Sequence, residues 1–164
     1  MREAISKTPA RQAEPQQDIR DLLSFRLTRL SQVSDSVGQR WLSRDYGLRL
    51  LEWRVIGLAA AMSPKARFAD VSRILNADKG QLSRTVSALV TKGLISQSPD
   101  PSDQRGRVLS LTGAGQDIYR RVMPEAVRRN AEMVRNLTSN EIAHLFELLE
   151  KMQPIMDERA KNEP

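Results

Sequence analysis

The sequence predicts a mostly α-helical protein with one small β-hairpin. Along most of the chain, apolar residues recur at three- and four-residue steps, the spacing that places them on one face of a helix. Between Leu94 and Leu111 the pattern changes to short apolar–polar alternation around a stretch rich in proline, glycine and charge, which is typical of a hairpin. A chain of 164 residues has room for one such module and an accessory helical part.

Residues 1–17 mix prolines with small, polar and charged side chains and show no periodicity, so we predict a flexible N-terminal arm. A long helix follows from Asp18 to about Asp45, and Gly47 ends it because glycine readily takes a positive φ. Such a helix extends about 40 Å. A compact module cannot cover that length alone, so the apolar face should pack against a partner. Its apolar positions are Ile19, Leu23, Leu27, Leu30, Val33, Val37 and Trp41.

The next three helices are predicted from their breaks and caps. The first covers residues 48–62 and ends at a Ser-Pro pair, and the second covers residues 68–75. Asp78 suits the N-cap of the third, with Gln81 three positions later, and Gly93 closes that helix. The residues expected to face inward on the second and third helices are Phe68, Val71, Ile74, Leu75, Leu82, Val86, Leu89 and Val90.

The hairpin is predicted as a strand at 94–98, a loop at 99–106 and a return strand at 107–111. Its tip is charged, because two arginines flank Gly106 there. The charged residues concerned are Asp103, Arg105 and Arg107. A basic hairpin that follows a helix pair predicts a winged helix-turn-helix over residues 48–112, and most such modules bind DNA.

Two helices close the chain. The first is predicted from Ala114 to about Asn136, with a kink at Pro124. Thr138 and Glu141 form a capping box for the second. Its apolar positions are Ile142, Leu145, Phe146, Leu149, Met152 and Met156. The predicted DNA-binding module is therefore embedded in an all-helical region formed by residues 18–47 and 113–164.

The charge favours a polyanionic partner, since the net charge is +6 and the isoelectric point is about 10.2. Residues 63–112 are the most basic part, with eight Lys and Arg against four Asp and Glu. Aromatic residues make up only 4% of the chain, which argues against binding of single strands by base stacking.

Several classes of chemistry are excluded by residue usage. The chain has no cysteine, so it forms no disulfide, thiol switch or Cys-ligated zinc site, and His144 is its single histidine. We therefore expect no metal and no cofactor. No nucleophile–base–acid set or phosphate-binding glycine loop stands out, so we expect no enzyme activity. With no apolar run near the ~20 residues of a membrane span and no signal peptide, we expect a cytoplasmic protein.

The helix that begins after Asp78 carries the side chains expected to contact DNA. At 100° per residue, Gln81, Arg84 and Ser87 lie opposite its apolar face. Gln81 and Arg84 can each form two hydrogen bonds with a base edge in the major groove. Ser83 and Ser87 are short enough to reach a base or a phosphate, and Lys79 should meet phosphate. The alternative is an ordinary solvated helix face with no ligand.

The hairpin supplies a second set. Arg105 is expected to enter the minor groove, where the negative potential attracts a guanidinium, and Arg107 lies beside it. Asp103 could hold Arg105 in place through a charge-assisted pair. The alternative is a charged hairpin turn that does not contact DNA.

These segments together resemble the MarR family of winged-helix transcription regulators. The family's wing pattern of Asp, any residue, Arg and then Leu-any-Leu-Thr is matched in order by Asp103, Arg105, Leu109, Leu111 and Thr112. Residues 51–60, 85–95 and 137–152 also resemble family blocks, so the resemblance extends over about 18–160. Family members often carry arginine where this chain has Gln97 and Gln104, which suggests fewer phosphate contacts.

The resemblance implies a homodimer, with residues 18–47 and 113–164 as the dimerisation region. Its two winged helices would bind a pseudo-palindromic operator in adjacent major grooves. Arg105 would then be the minor-groove residue and Asp103 its positioning partner. The leading hypothesis is a sequence-specific transcriptional repressor. The alternative is a non-specific architectural DNA-binding protein without a ligand.

Many family members release DNA when a small anionic or aromatic molecule binds. Arginines near aromatic residues could hold an aromatic carboxylate or its acyl thioester as such an effector. The candidates are Arg20, Arg26, Trp41 and Trp53. The alternative is that these arginines form salt bridges and the tryptophans belong to the core.

Overall fold

In the computed structural model, residues 18–162 are described, except for the side chains of Gln104, Arg105 and Lys161. The predicted arm at 1–17 lies outside the described residues. A 3₁₀ turn at Ile19–Asp21 precedes six helices and three strands in the described part. They are α1 Leu23–Tyr46, α2 Leu50–Ala61, β1 Ala66–Arg67, α3 Phe68–Leu75, α4 Lys79–Thr91, β2 Ile95–Asp100, β3 Asp103–Leu111, α5 Gly113–Met133 and α6 Ser139–Asn162. The predicted fold class, mostly helical with a small antiparallel sheet, is confirmed.

The described part of the chain divides into two compact units, the first ending at Trp53 and the second beginning at Arg54. In the first unit, Gly47 ends α1 in the left-handed conformation, with φ 63°, as predicted. The start of α1 differs from the prediction. Asp18 caps the 3₁₀ turn by accepting a hydrogen bond from the N–H of Arg20 at 2.8 Å, and Leu22 is extended, so the α-helix begins at Leu23.

The C-terminal end of α1 and the start of α2 are locked together within that unit. The side chain of Gln39 accepts a hydrogen bond from the N–H of Leu50 at 2.9 Å. Trp41, Leu42 and Leu48 are buried there. Toward its N-terminus, by contrast, α1 exposes most of its apolar side chains. These are Leu23, Leu30, Val33 and Val37.

In the second unit, β3 is the central strand of a sheet with the order β1-β3-β2. Strand β1 was missed by the sequence analysis because a strand of two residues shows no alternation. Val108 and Leu109 of β3 are buried, as is Ala66 of β1. On α3 and α4, the expectation that Ile74 and Val90 face inward was wrong, since both are exposed. Each lies at the edge of its helix's apolar face or beyond it.

The hairpin is longer and its turn tighter than predicted. Strands β2 and β3 are separated only by Pro101 and Ser102, so the predicted loop at 99–106 was wrong. Pro99 lies opposite Arg107 and Asp100 opposite Asp103, which leaves residues 104–106 of β3 as an unpaired bulge. Pro99 is accommodated because β2 is an edge strand of the sheet.

The end of the hairpin joins α5 at a tight corner. Thr112 caps α5, because its hydroxyl accepts a hydrogen bond from the N–H of Gly115 at 3.0 Å and lies 2.6 Å from the carbonyl oxygen of Gly93. A Cβ at Gly115 would lie 2.0 Å from the carbonyl oxygen of Leu94, so only glycine fits there. Helix α5 continues through Pro124.

Helix α6 begins at the predicted capping box. The carboxylate of Glu141 accepts from the N–H of Thr138 at 2.7 Å, and the N–H of Glu141 donates to the Thr138 hydroxyl at 3.3 Å. None of the helices within residues 18–162 has the length and hydropathy that a membrane span requires.

Candidate nucleic-acid interface

Helix α4 is anchored by its apolar face and by its N-terminal cap. Leu82, Val86 and Leu89 are fully buried, at 0% exposure, and the helix packs beside β2. The carboxylate of Asp78 accepts a hydrogen bond from the N–H of Gln81 at 2.7 Å, as the capping pattern predicted. The helix is therefore held from one side and presents the other to solvent.

The exposed side of α4 carries most of the predicted DNA-contacting residues. Lys79, Gln81, Arg84 and Ser87 are exposed, and Ser83 is half-buried. Gly80 adds no side chain to the first turn, and a Cβ there would lie 3.2 Å from the Asp78 carboxylate and 3.5 Å from the Arg84 guanidinium. A duplex can therefore approach the first turn of α4 closely.

The hydroxyls beside this surface are occupied within the helix. Thr85 donates to the carbonyl oxygen of Gln81 at 3.0 Å, and Thr91 donates to that of Ser87 at 3.1 Å. Among the long polar side chains of this face, which include Lys79, the Gln81 amide and the Arg84 guanidinium can each form two hydrogen bonds with a base edge.

In the wing, the structure places Arg107 against the protein itself. Its guanidinium lies 4.7 Å from the centre of the Phe68 ring and donates a hydrogen bond to the Gln97 side chain at 3.2 Å. Gln97 is thereby a partner of Arg107 on the neighbouring strand. A contact between Arg107 and DNA remains a prediction.

Asp103 and Arg105 were predicted to act as a pair. Asp103 is exposed and begins β3 opposite Asp100, and the backbone of Arg105 lies in the bulge at 104–106. The side chain of Arg105 is outside the described part of the structure. The pairing of these residues therefore stays a prediction.

Sequence analysis missed Asp100, whose side chain is nearly buried beside the wing turn. Its carboxylate accepts from the N–H of Ser102 at 2.9 Å and from the Ser102 hydroxyl at 2.7 Å, and it pairs with Nε of Arg67 at 2.8 Å. These two Ser102 bonds, followed by the charges of Arg67 and Lys65, lower the pKa of Asp100 from its ordinary value. An Asp two residues before a serine, next to proline, is the available signal for such a turn.

The predicted effector residues all lie in the first unit, and the structure does not bring them together. Arg20 pairs with Asp18, and Arg26 pairs with Asp21 at 3.2 Å. Trp41 is buried with its ring edge-on to Tyr46, and Trp53 is half-buried. Arg26 and Trp41 are separated along α1 by about 22 Å. One small molecule in this unit can therefore contact one end of the set and not the other.

A separate cleft of about 310 Å³ lies within the second unit, between α2, β3 and α5. Its lining mixes small apolar side chains with hydroxyls, an amide and a guanidinium. The lining residues are Ala59, Ala60, Ser63, Ser110, Leu111, Gln116, Tyr119 and Arg120.

Comparison with known proteins gives consistent matches. A family model described as "MarR family" matches residues 46–106. The multiple antibiotic resistance protein MarR of Escherichia coli strain K12 is 33% identical over 100 residues, which cover 60% of this chain and 67% of that protein.

Solved structures match over most of the chain. A MarR/EmrR family regulator from Acinetobacter sp. ADP1 has a TM-score of 0.79 at 25% identity, covering 86% of this chain and 99% of that one. A mutant of Escherichia coli MarR in complex with operator DNA has a TM-score of 0.68 at 26% identity, and the match covers 79% of this chain and 92% of that one.

Proposed function

Because the chain belongs to the MarR family of transcriptional regulators, we propose that it is a repressor that recognises one sequence in double-stranded DNA. It acts as a homodimer on a pseudo-palindromic operator, and a small anionic or aromatic molecule releases it. We propose a cytoplasmic location, because a regulator of this kind acts on DNA. The proposed parts are a winged helix-turn-helix domain at 48–112 and a dimerisation region at 18–47 and 113–164.

One observation carries the proposal: α4 combines a buried anchoring face with an exposed face of long polar side chains. Gln81 and Arg84 are exposed on a helix whose cap and core contacts fix its orientation. Arginine pairs with guanine and glutamine with adenine through two hydrogen bonds each, which discriminates between bases. A protein that binds only phosphates needs positive charge and no such amide. This surface therefore favours sequence-specific binding over the architectural alternative.

The exposed apolar side chains of the terminal helices support a homodimer. Single copies of water-soluble proteins rarely expose large contiguous apolar surfaces, and a second copy is the commonest way to cover one. A two-fold dimer presents two copies of α4 to half-sites one helical turn apart, about 34 Å on DNA. The exposed residues are Leu23, Leu30, Val33 and Val37 on α1, and Leu145, Phe146, Leu148, Leu149, Ile155 and Met156 on α6.

Two places are candidates for the effector. One is the predicted set, of which a single molecule would contact either Arg20 and Arg26 or the tryptophans Trp41 and Trp53, and the other is the cleft beside Arg120. The PcaV regulator of Streptomyces coelicolor, with a TM-score of 0.70 at 22% identity, was solved with its natural ligand. The BpsR regulator of Bordetella bronchiseptica is regulated by 6-hydroxynicotinic acid. An aromatic carboxylate is therefore the first probe to titrate against each site.

The proposal is tested by selecting duplexes from random DNA with the full chain and then measuring competition. We expect an inverted repeat to bind on the order of 10³-fold or more tightly than scrambled duplex at physiological salt. Equal affinity for both would support the architectural alternative instead. A reporter gene behind the selected site gives the sign of regulation, because a repressor lowers its expression.

The contribution of α4 is tested in the same assay with Arg84→Ala. We expect a loss of about 1–3 kcal/mol at the selected site, with relaxed preference at one base position. Lys151→Ala on α6 removes the same charge outside the winged helix and serves as the control. Equal losses on selected and scrambled DNA would reduce Arg84 to a phosphate contact.

A further inference from the structure

The wing turn contains a buried charge. Asp100 is 7% exposed, and among the described residues the other buried polar or charged residues are Glu52 and Ser72. An ionised carboxylate loses hydration when it is buried, so it persists only where hydrogen bonds and a counter-charge replace the water. A surface hairpin does not need such a group to close its turn.

Arg67 and Ser102 supply that replacement. Both the N–H and the hydroxyl of Ser102 lie within 2.9 Å of the Asp100 carboxylate, and Arg67 reaches it with Nε at 2.8 Å. A second guanidinium nitrogen of Arg67 donates to the Ser102 hydroxyl, also at 2.8 Å. The three side chains therefore form a closed triangle of contacts, which we name the wing clasp.

The clasp connects the tip of the wing to the start of the helix-turn-helix. Arg67 belongs to β1, pairs with Val108 in the sheet and is the N-cap residue of α3. Strand β1 reaches only Val108 and Leu109 of β3, so the hairpin continues past the end of the three-stranded part. The side chain of Arg67 bridges from that edge to the turn. It limits rotation of the tip relative to α3.

The clasp also supports the bulge that carries Arg105. A Cβ at Gly106 would lie 2.9 Å from Cβ of Asp100 and 3.1 Å from the carbonyl oxygen of Asp103. The backbone of the bulge thus packs directly on Asp100, and glycine permits the close approach. A shift of the Asp100 side chain would be transmitted to residues 104–106.

We propose that Asp100 is a positioning residue for DNA recognition: through Arg67, Ser102 and Gly106 it fixes the backbone of the bulge at 104–106, which contains the predicted minor-groove residue Arg105. This inference rests on the proposed function. Asp100 then holds the wing in its orientation, while Asp103 keeps its predicted role as the positioning partner of Arg105. Base choice at the flanks of the operator should then depend on the clasp, and base choice at its centre on α4.

The experiment compares the full-length wild type with Asp100→Asn and Ser102→Ala. Asparagine keeps the size of the side chain and can accept from Ser102, but it loses the charge that holds Arg67. Each protein is titrated with the selected operator and with duplexes that keep its centre and randomise its flanks. Ser98→Ala, an exposed serine on β2 of the same hairpin, is the matched control.

We expect Asp100→Asn to lower affinity for the native flanks about tenfold, the size of one lost base-pair preference. The preference for the native flanks over randomised flanks should disappear, while preference at the centre is retained. Ser102→Ala should show a smaller loss in the same direction. Gly106→Ala should resemble Asp100→Asn, because the added Cβ would lie 2.9 Å from Cβ of Asp100 and force that residue and the bulge apart.

Two results would overturn the inference. An unchanged flank preference in Asp100→Asn would show that the clasp does not position the wing. A loss that is equal for both kinds of duplex, with a lowered melting temperature, would show a purely structural role. If Asp100→Asn does not fold, Ser102→Ala and Gly106→Ala decide the question. A wild type without any operator preference would reject the proposed function, a result separable from both.

Discussion

Helices α4 and α6 share the same apolar spacing but differ in what surrounds it. In α4, Leu82, Val86 and Leu89 are 0% exposed. In α6, Phe146 is 58% exposed and Met156 is 55% exposed, although the apolar spacing of that helix is just as regular. Periodicity therefore establishes that a helix has an apolar face, and the surroundings decide whether one copy of the chain covers it.

The difference in burial between α4 and α6 separates stability that one copy of the chain provides from stability that requires a second copy. The face of α4 is covered by the unit to which it belongs, so its packing requires no second molecule. The face of α6 gains its burial from a second copy in the proposed dimer, so its stabilisation depends on protein concentration. The winged helix and the terminal helix should accordingly respond differently to substitution.

The largest expected effect comes from placing a charge on the face of α6. Phe146→Asp should convert the dimer to a monomer, because a carboxylate cannot be buried there without a partner. Operator affinity should fall about 100-fold or more, since each monomer then binds one half-site without the benefit of the other. Analytical ultracentrifugation and operator titration measure the two effects.

Glu150→Gln, a polar change on the same helix, is the control for Phe146→Asp and should leave both properties unchanged. If the Phe146→Asp protein remains dimeric, the dimer interface lies elsewhere and a second copy does not cover the apolar face of α6.

The next effect is on α4, where Leu82→Ala should cost about 2–5 kcal/mol in the free energy of unfolding. The side chain is fully buried, so its removal leaves a cavity. Urea denaturation measures the change. Val90→Ala, at an exposed position on the same helix, should shift unfolding by less than about 0.5 kcal/mol. Similar costs at both positions would contradict the one-sided packing of α4.

A third substitution tests the corner between the wing and α5. Gly115→Ala should destabilise the protein by about 1–3 kcal/mol, because its Cβ would lie 2.0 Å from the Leu94 carbonyl oxygen. Gly113→Ala, two positions earlier in the same turn, meets no atom within 4 Å. It should be neutral or stabilise by up to about 1 kcal/mol. Thermal melting curves compare the stabilities of the two variants. Equal melting temperatures would contradict the close approach of Gly115 to the Leu94 carbonyl oxygen.

The smallest effect is expected with pH. Hydrogen bonds from Ser102, Arg128 and Thr138 lower the pKa values of Asp100, Glu125 and Glu141 respectively. Because these carboxyls bind protons more weakly in the folded state, they contribute stability above their ordinary pKa values. That contribution should be lost as the pH falls below about 4.

Urea unfolding at successive pH values checks this expectation. Glu141→Gln should flatten the acid limb of the stability profile, since it removes one of the three carboxyls. A steep loss of stability between pH 5 and 7 would have to come from other groups.

The helices could be predicted because their signals are local. Asp78, Gly47 and the pair Thr138 and Glu141 mark helix ends through contacts within a few residues of themselves. Strand β1 could not be predicted, because its two residues are a strand only through their pairing with Val108 and Leu109, some forty positions away. The hairpin turn was misplaced because the bulge at 104–106 looks like a loop in the sequence.

The site divides in the same way. The exposed face of α4 follows from helical geometry, so its residues could be predicted as a set. The packing of Arg107 on Phe68 and the pairing of Asp100 with Arg67 join distant parts of the chain. In the sequence alone, Arg107 resembles a free charge and Asp100 an ordinary turn residue.

The corner at Thr112 has a mechanical consequence. Its side chain contacts both Gly93 and Gly115, its N–H donates to the Leu94 carbonyl oxygen at 3.2 Å, and Gly115 lies against that same oxygen. The base of the hairpin and the first turn of α5 therefore move as one rigid body. If α5 tilts, the base of the hairpin tilts with it, and a displacement of less than an ångström at this corner becomes larger toward the tip of the hairpin.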